Sequence, residues 1–383
     1  MAEWVPVFVL PNVSLEDSIE CDIAALVPTR DRRVTPLKRE HPRFKRFLNR
    51  FADSFGQKFE PTVLIINKAA APVFRDISAL ASFRDLIAIC AITRARALEI
   101  LYPRGHRVSY GDSFSIYPWM LDRHYHHLIG NTPAILATHE VSSFKGQSSP
   151  TISRMPLGAE DIDQSMLIAL MARWQQCHET SEPAWADVAL LRSLNMAYHA
   201  SLLPAGTDTT IYDVGRIISL WVSAFEILVH PGGNGRVHRD NVFDLIERTP
   251  WAIPASGRLT YETGGKTKVL RTLASWLYQE LYERRNDFLH GNPVEYRNLN
   301  MPTPQRWISD YAAPLYRIAL TAFLDLTHTS PVPSTDDSKG FGAFVNDQMN
   351  FMEPQKKAEK ALLTAMPSRL KDRSDPSPIE RKN

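Results

Sequence analysis

The chain has 383 residues, of which 44% are hydrophobic and 22% charged, and its formal net charge is +2. This balance is typical of an ordinary soluble protein with a sizeable core. The net charge is too small for the whole molecule to attract nucleic acid, so any such role must depend on local clusters of charge. The three cysteines (Cys21, Cys90 and Cys177) are far apart and form no CxxC pair, so we expect neither a disulfide framework nor a thiolate zinc site.

Residues 1–155 are expected to form a mixed α/β domain. The N-terminus lacks a basic segment, and its short apolar run contains Pro6, which indicates a strand and not a signal peptide. The apolar run 85–94 has charges at both ends and is too short to span a membrane, so we expect a cytoplasmic protein without membrane contact. The predicted strands are 5–10, 19–27, 62–66, 113–118 and 133–138. The predicted helices are about 42–55, with phenylalanines along one face, and about 72–101.

Residues 156–329 are expected to form an all-α domain, since long helical periods replace the strand patterns. The predicted helices are 161–177, 183–203, 210–230, 241–248, 267–290 and 303–327. Thr210 and Asp213 have the spacing of a capping box at a helix start. Residues 330–383 are rich in Pro, Ser, Asp and Lys, and we expect a disordered tail with at most a transient helix over 354–365. The fold class predicted for the whole chain is α+β.

One motif carries chemistry: Arg285-Asn286-Asp287-Phe288-Leu289-His290-Gly291 at the end of the predicted helix 267–290. Gly291 and Pro293 are typical stop signals, so His290 should lie on the last helical turn. There the negative end of the helix dipole favours a protonated imidazole. A histidine that can be charged or neutral near neutral pH is suited to proton transfer.

The spacing of these residues has a geometric consequence. Asn286 and His290 are four positions apart and share a helix face, whereas Arg285 and His290 are about 140° apart around the axis. A two-fold pairing of two such helices would gather two copies of each side chain in one groove. RNA cleavage without a metal needs these groups: a base for the 2′-hydroxyl, an acid for the leaving 5′-oxygen and a guanidinium for the charged phosphorane.

The pattern R-N-x-x-x-H followed by glycine resembles the signature of HEPN domains, dimeric helical bundles that often cleave RNA, and in particular their ApeA-like branch. The apolar segment 220–229, which contains Glu226, is similar to an early HEPN helix, and the resemblance covers about 211–326. It implies that His290 is the catalytic acid/base, that Arg285 stabilises phosphate and that Asn286 orients the histidine or the RNA. It also implies a homodimer and a toxin or antiviral-defence role, in which an antitoxin or other regulator would be a partner.

Glu226 admits two interpretations. It is either a core carboxylate paired with Arg285 or Arg284, or a residue that orients the catalytic Arg285. Both interpretations predict the same contact, because a buried carboxylate needs a cationic partner.

Three further clusters are weaker. Arg43 and Arg46 lie in the basic run 29–50, which is either a phosphate-binding patch or, as we favour, a solvated helix face. Arg236, His238 and Arg239 follow a glycine-rich connection and could touch RNA near the site. The cluster 122–127 contains three histidines but matches no metal-ligand spacing, so we expect neither a metal nor another cofactor.

The sequence thus predicts a metal-independent RNA endonuclease of HEPN type. The alternative is a non-catalytic, dimeric HEPN module that binds RNA or a nucleotide.

Overall fold

A computed structural model of the chain divides it into two compact units. The first unit comprises Met1–Ala91 and Tyr110–Leu194, and the second comprises Ile92–Ser109 and Asn195–Asn383. Residues 156–194 therefore belong to the first unit, whereas the sequence assigns them to the helical domain. The structure describes residues 3–49, 51, 57–58, 60–103, 110–114, 119–121, 128–130, 156–202, 210–264, 268–301, 306–327, 333–334 and 337–366.

The first unit contains a four-stranded antiparallel sheet. Its strands are β1 (Trp4–Leu10), β2 (Ile19–Glu20), β3 (Ala24–Pro28) and β4 (Thr62–Asn67), in the order β1-β4-β3-β2. The strands predicted at 5–10 and 62–66 are confirmed. The one predicted at 19–27 is two strands, because the chain turns between them with the Cys21 N–H donating to the carbonyl of Ala24.

Two helices, α1 (Val34–Glu40) and α2 (Pro42–Leu48), bury their apolar side chains together with those of the sheet. The predicted phenylalanine face is confirmed, since Phe44, Phe47 and Phe51 are all buried. The helix predicted over about 42–55 is shorter, because α2 ends at Leu48; residues 52–55 of the prediction lie outside the described residues.

A 3₁₀ turn at Pro72–Arg75 leads into the long helix α3 (Ile77–Leu101), close to the predicted helix 72–101. After it come a 3₁₀ turn at Gly111–Phe114 and the hairpin of β5 (Trp119–Leu121) and β6 (Leu128–Gly130). The strand predicted at 113–118 is wrong at its start, because residues 113 and 114 belong to the turn. Residues 115–118, the polar cluster 122–127 and the strand predicted at 133–138 lie outside the described residues.

Two further helices, α4 (Gln164–Glu179) and α5 (Trp185–Ala200), match the predicted helices 161–177 and 183–203 within a few residues. The start of α4 is set by Asp163, whose carboxylate accepts a hydrogen bond from the Met166 N–H. Such a cap satisfies one of the free N–H groups of a first turn.

Residues 211–323 of the second unit contain a further set of helices. They are α6 (Ile211–Leu228), α7 (Arg239–Glu247), α8 (Leu273–Leu289), α9 (Tyr296–Leu299) and α10 (Ala312–Phe323). The predicted capping box of α6 is confirmed: the Thr210 hydroxyl accepts from the Tyr212 N–H, and the Asp213 carboxylate accepts from the Thr210 N–H.

The predicted helix 267–290 is wrong in its first turn. Residues Val269–Arg271 form β8, which pairs with β7 (Tyr261–Thr263), and α8 begins only after Thr272, whose hydroxyl caps the Ser275 N–H. Leu270, which lies within the predicted helix, is 55% exposed on the hairpin. The helix predicted at 303–327 is likewise shorter: a 3₁₀ turn at Ile308–Tyr311 precedes α10.

Helices α6 and α8 are antiparallel neighbours. At one end, Gly215 of α6 lies against Phe288 of α8, and at the other end the rings of Phe225 and Tyr278 are 5.2 Å apart between centroids. The Phe225 ring also packs edge-on against Tyr316 of α10 at 5.3 Å. These ring contacts fix the register of α8 against α6, and with it the position of the C-terminal end of α8.

The expectation of a disordered tail is wrong for residues 338–363, although a helix does lie over most of the segment 354–365 where a transient one was expected. They form α11 (Ser338–Asp347), a π-helical turn (Gln348–Met352) and α12 (Glu353–Leu363). Helix α12 packs on α10 through a buried polar network, in which the Arg317 guanidinium bonds to the Gln355 amide oxygen and Gln355 in turn donates to Glu359 at 2.8 Å. Residues 367–383 lie outside the described residues.

The described elements make this an α+β protein, as predicted. Among the helices in the described ranges, none combines the length and the apolar composition that crossing a bilayer requires.

Candidate functional site

The C-terminal end of α8 is closed by a tight glycine turn. The N–H groups of Gly291 and Asn292 donate back to the carbonyls of Phe288 and Asp287, and Gly291 has φ +70°. This pair of bonds is a Schellman motif, which needs a residue that tolerates the left-handed conformation. The predicted stop is confirmed, and His290 is the C-cap residue, whose own N–H donates to the Asn286 carbonyl at 2.9 Å.

The imidazole of His290 is exposed to solvent. Within the described part of the chain, its ring nitrogens make no hydrogen bond and no ion pair. A histidine at this position has its backbone held by the helix and its ring available to a substrate or to a second copy of the chain.

Arg285 on α8 reaches towards Glu226 of α6. Its Nη2 lies 3.5 Å from Oε2 of Glu226, its Nη1 donates to the Asn286 side-chain oxygen at 3.4 Å, and its Cζ is 5.8 Å from the centroid of the Tyr282 ring. The predicted contact of Glu226 is therefore made with Arg285. Arg284 instead pairs with Glu280 and Asp287 along its own helix, so it does not support Glu226.

The three motif residues thus occupy one end of α8 but not one cluster. Asn286 contacts Arg285, while no hydrogen bond joins the side chains of Arg285 and His290 within the described residues. This agrees with the divergence of about 140° expected from helix geometry.

Burial raises the pKa of Glu226 above its ordinary value of 4.5, and the nearby Arg285 only partly opposes this effect. The protonated carboxyl therefore contributes stability that is complete below that ordinary value and is lost as the pH rises through the raised pKa. We expect the stability of Glu226→Gln relative to the unsubstituted chain to increase as the pH rises above the ordinary glutamate value of 4.5. Urea denaturation at several pH values measures this difference. The same change at the exposed Glu262 is the control and should show no such trend; a relative stability that falls with pH would mean that the Arg285 pair dominates.

The ring of Phe288 lies directly against Gly215 of α6. A Cβ atom at Gly215 would lie 2.5 Å from the Phe288 ring, so Gly215→Ala must displace either the ring or the helix end. We expect a loss of about 1–3 kcal/mol in the free energy of unfolding, as for overpacking in a core. Urea denaturation is the measurement. Gly342→Ala in α11 is a matched control, because its added Cβ would meet no atom within 4 Å, and it should be neutral or stabilising. Equal effects of the two changes would contradict the close contact.

The weaker candidates lie in different places. Arg236 is exposed, and the backbone N–H of His238 donates to the Asn241 side chain at the start of α7. The guanidinium of Arg239 lies over two rings, with its Cζ 5.5 Å from the centroid of Phe243 and 5.6 Å from that of Tyr282. Arg43 and Arg46 belong to α2 in the first unit, and their side chains lie outside the described residues.

Two tyrosines were missed by the sequence reasoning. Tyr278 and Tyr282 of α8 are four residues apart, and Arg285 follows three residues later, which is the spacing of neighbours on one helix face. The hydroxyl of Tyr278 is buried without a hydrogen-bond partner among the described residues, and burial raises its pKa well above the ordinary value. The helical spacing was the signal that could have found them.

Among the described residues, no group of three or more His, Cys, Asp or Glu side chains has an arrangement that could hold a metal ion. Comparison of the chain with protein-family models, with curated proteins and with solved structures gives no match.

Proposed function

We propose that the second unit is a HEPN-type domain and that the protein is an RNA endonuclease that needs no metal. The observation that supports this most is the end of α8, where an exposed His290 follows Arg285 and Asn286 by about one helical turn. Phosphodiester cleavage requires such a proton-transfer group and a guanidinium near the same phosphate.

The proposed reaction uses the 2′-hydroxyl of the RNA as the nucleophile. The His290 imidazole takes its proton as the 2′-oxygen bonds to phosphorus, and the protonated imidazole then gives that proton to the 5′-oxygen as its bond to phosphorus breaks. The products are a 2′,3′-cyclic phosphate and a 5′-hydroxyl. The guanidinium of Arg285 stabilises the charge on the pentavalent phosphorus, and Asn286 holds Arg285 or the RNA in position.

The proposed active site is shared between two copies of the chain. In one chain, Arg285 is directed towards Glu226 and Tyr282, and no hydrogen bond joins it to His290 within the described residues. A two-fold pairing of the α8 ends would bring the arginine of one copy near the histidine of the other. We therefore propose a homodimer that acts on RNA in the cytoplasm, with a toxin or phage-defence role and an antitoxin or other regulator as its partner.

One observation favours the second candidate, a dimeric module that binds RNA or a nucleotide without cleaving it. Arg285 already has a carboxylate and an aromatic ring as neighbours, which is an arrangement suited to holding a ligand in a fixed position. In that case the same residues bind phosphate, and His290 has no proton to transfer.

Incubation of the purified protein with transfer RNA in the presence of EDTA separates the two functions. The proposed nuclease produces fragments that end in a 2′,3′-cyclic phosphate. Binding of the RNA without fragments, at protein concentrations that saturate it, would contradict the nuclease and support the binding module.

A further inference from the structure

Tyr282 brings two guanidinium groups from different helices together. Arg239 is the first residue of α7, and Arg285 lies near the end of α8, yet each Cζ is within 6 Å of the Tyr282 ring centroid, at 5.6 and 5.8 Å. Both arginine side chains are partly exposed, so a solute can reach them. Two like charges held on one ring repel each other unless an anion lies between or beside them.

The charges around Tyr282 do not balance. Glu226 is the carboxylate that faces Arg285, and Arg239 has no carboxylate partner in the described part of the chain. The nearby Arg271, by contrast, is surrounded by three carboxylates, those of Glu247, Asp244 and Asp240. Arg239 also lies at the N-terminal end of helix α7, which is the positive end of the helix dipole.

Three buried polar groups of this cluster lack a partner among the described residues: Nε of Arg239, Nε of Arg285 and the hydroxyl of Tyr278. Tyr278 is fully buried, and it interacts electrostatically with both arginines. All three groups can donate a hydrogen bond, and leaving a buried donor without an acceptor is unfavourable. The cluster therefore has more hydrogen-bond donors than acceptors.

We propose that Arg239 and Arg285 form a phosphate-binding site beside Tyr282. A phosphate group supplies the missing negative charge and several acceptor oxygens, and guanidinium groups bind it through paired hydrogen bonds. The source is either a phosphodiester of RNA or a free phosphate. The site assigns Arg239 a role in positioning the ligand. It rests on the proposed function only where RNA is the source.

Fluorescence anisotropy with a short labelled oligouridylate tests the site, with the His290→Ala variant as the background so that no cleavage interferes. Arg239→Gln should weaken binding about tenfold or more, and it should reduce the dependence of log affinity on log salt by about 1. Arg248→Gln is the matched control: it removes the same charge from an exposed position just after α7 and should leave the affinity nearly unchanged.

Competition by inorganic phosphate, at an ionic strength held constant with chloride, distinguishes the sources. If phosphate releases the oligouridylate from the Arg248→Gln protein, and if more phosphate is needed for the same release from the Arg239→Gln protein, the site binds free phosphate. If binding of the oligouridylate depends on Arg239 but phosphate does not displace it, the ligand of the site is a phosphodiester of RNA. Equal affinities of the two variants for both probes, or no binding of either probe, overturns the proposal. Failure of the proposed nuclease function is a separate result, because it appears as an absence of RNA cleavage by the unsubstituted protein.

Discussion

Replacement of His290 by alanine is expected to reduce RNA cleavage by about 100-fold or more, because it removes the group that transfers the proton. The fold should be unaffected, since the imidazole is exposed and makes no hydrogen bond within the described residues. Initial rates of cleavage, measured together with the thermal unfolding midpoint, check both parts. His199→Ala is a matched control: His199 is also exposed and also lies in the last turn of a helix, α5, and its loss should not change the rate.

A mixture of two inactive variants tests whether the site is shared. A dimer of one Arg285→Ala chain and one His290→Ala chain contains one site with both groups intact if they act across the two copies. We therefore expect activity to return when the two proteins are mixed and allowed to exchange subunits. No recovery, in mixtures shown to contain the mixed dimer, would mean that arginine and histidine act within one chain. A protein that stays monomeric on RNA would contradict the dimer itself.

Glu359→Ala is expected to destabilise the helical unit by about 3 kcal/mol or more, because it leaves several buried donors without an acceptor. The Glu359 carboxylate is fully buried and accepts hydrogen bonds from the backbone N–H groups of Ala252 and Ile253, at 2.8 and 2.7 Å, and from Gln355. It thereby joins α12 to the segment after α7. Urea denaturation followed by circular dichroism is the measurement.

Lys360→Ala provides the control for this change, since Lys360 is the exposed neighbour of Glu359 on the same helix and its loss should be nearly neutral. Glu359→Gln keeps one acceptor oxygen and should have an intermediate effect. Similar stabilities of the alanine variants at 359 and 360 would show that α12 contributes little to the unit.

Local signals in the sequence were sufficient for the ends of the functional helices. The capping box of Thr210 and Asp213 and the stop at Gly291 depend on neighbours within a few residues, so they can be recognised without the fold. The same holds for the pairing of Glu226, because a carboxylate in an apolar helix face must find a cation. The choice of Arg285 over Arg284 could not be made, since it depends on the register of α6 against α8.

Features that depend on distant partners could not be predicted. Leu270 continues the helical period of Leu273, Leu277 and Leu281, yet it belongs to a hairpin whose pairing with Tyr261–Thr263 overrides that pattern. The charged segment after residue 330 has the composition of a solvated tail. Its Glu359 is nevertheless buried, because backbone donors more than 100 residues earlier in the chain provide its hydrogen bonds.

Because the Schellman motif closes α8, a ligand that binds at the proposed active site does not have to order the backbone there. Gly291 and Asn292 close the helix with two backbone hydrogen bonds, so the main chain at His290 is already confined when the protein is folded. Only the rotation of the imidazole about its side-chain torsions is left to be lost on binding. Fixing a flexible backbone would cost about 1–2 kcal/mol of conformational entropy per residue. A histidine at the end of a rigid helix avoids this loss, whereas the same residue in a mobile loop would not.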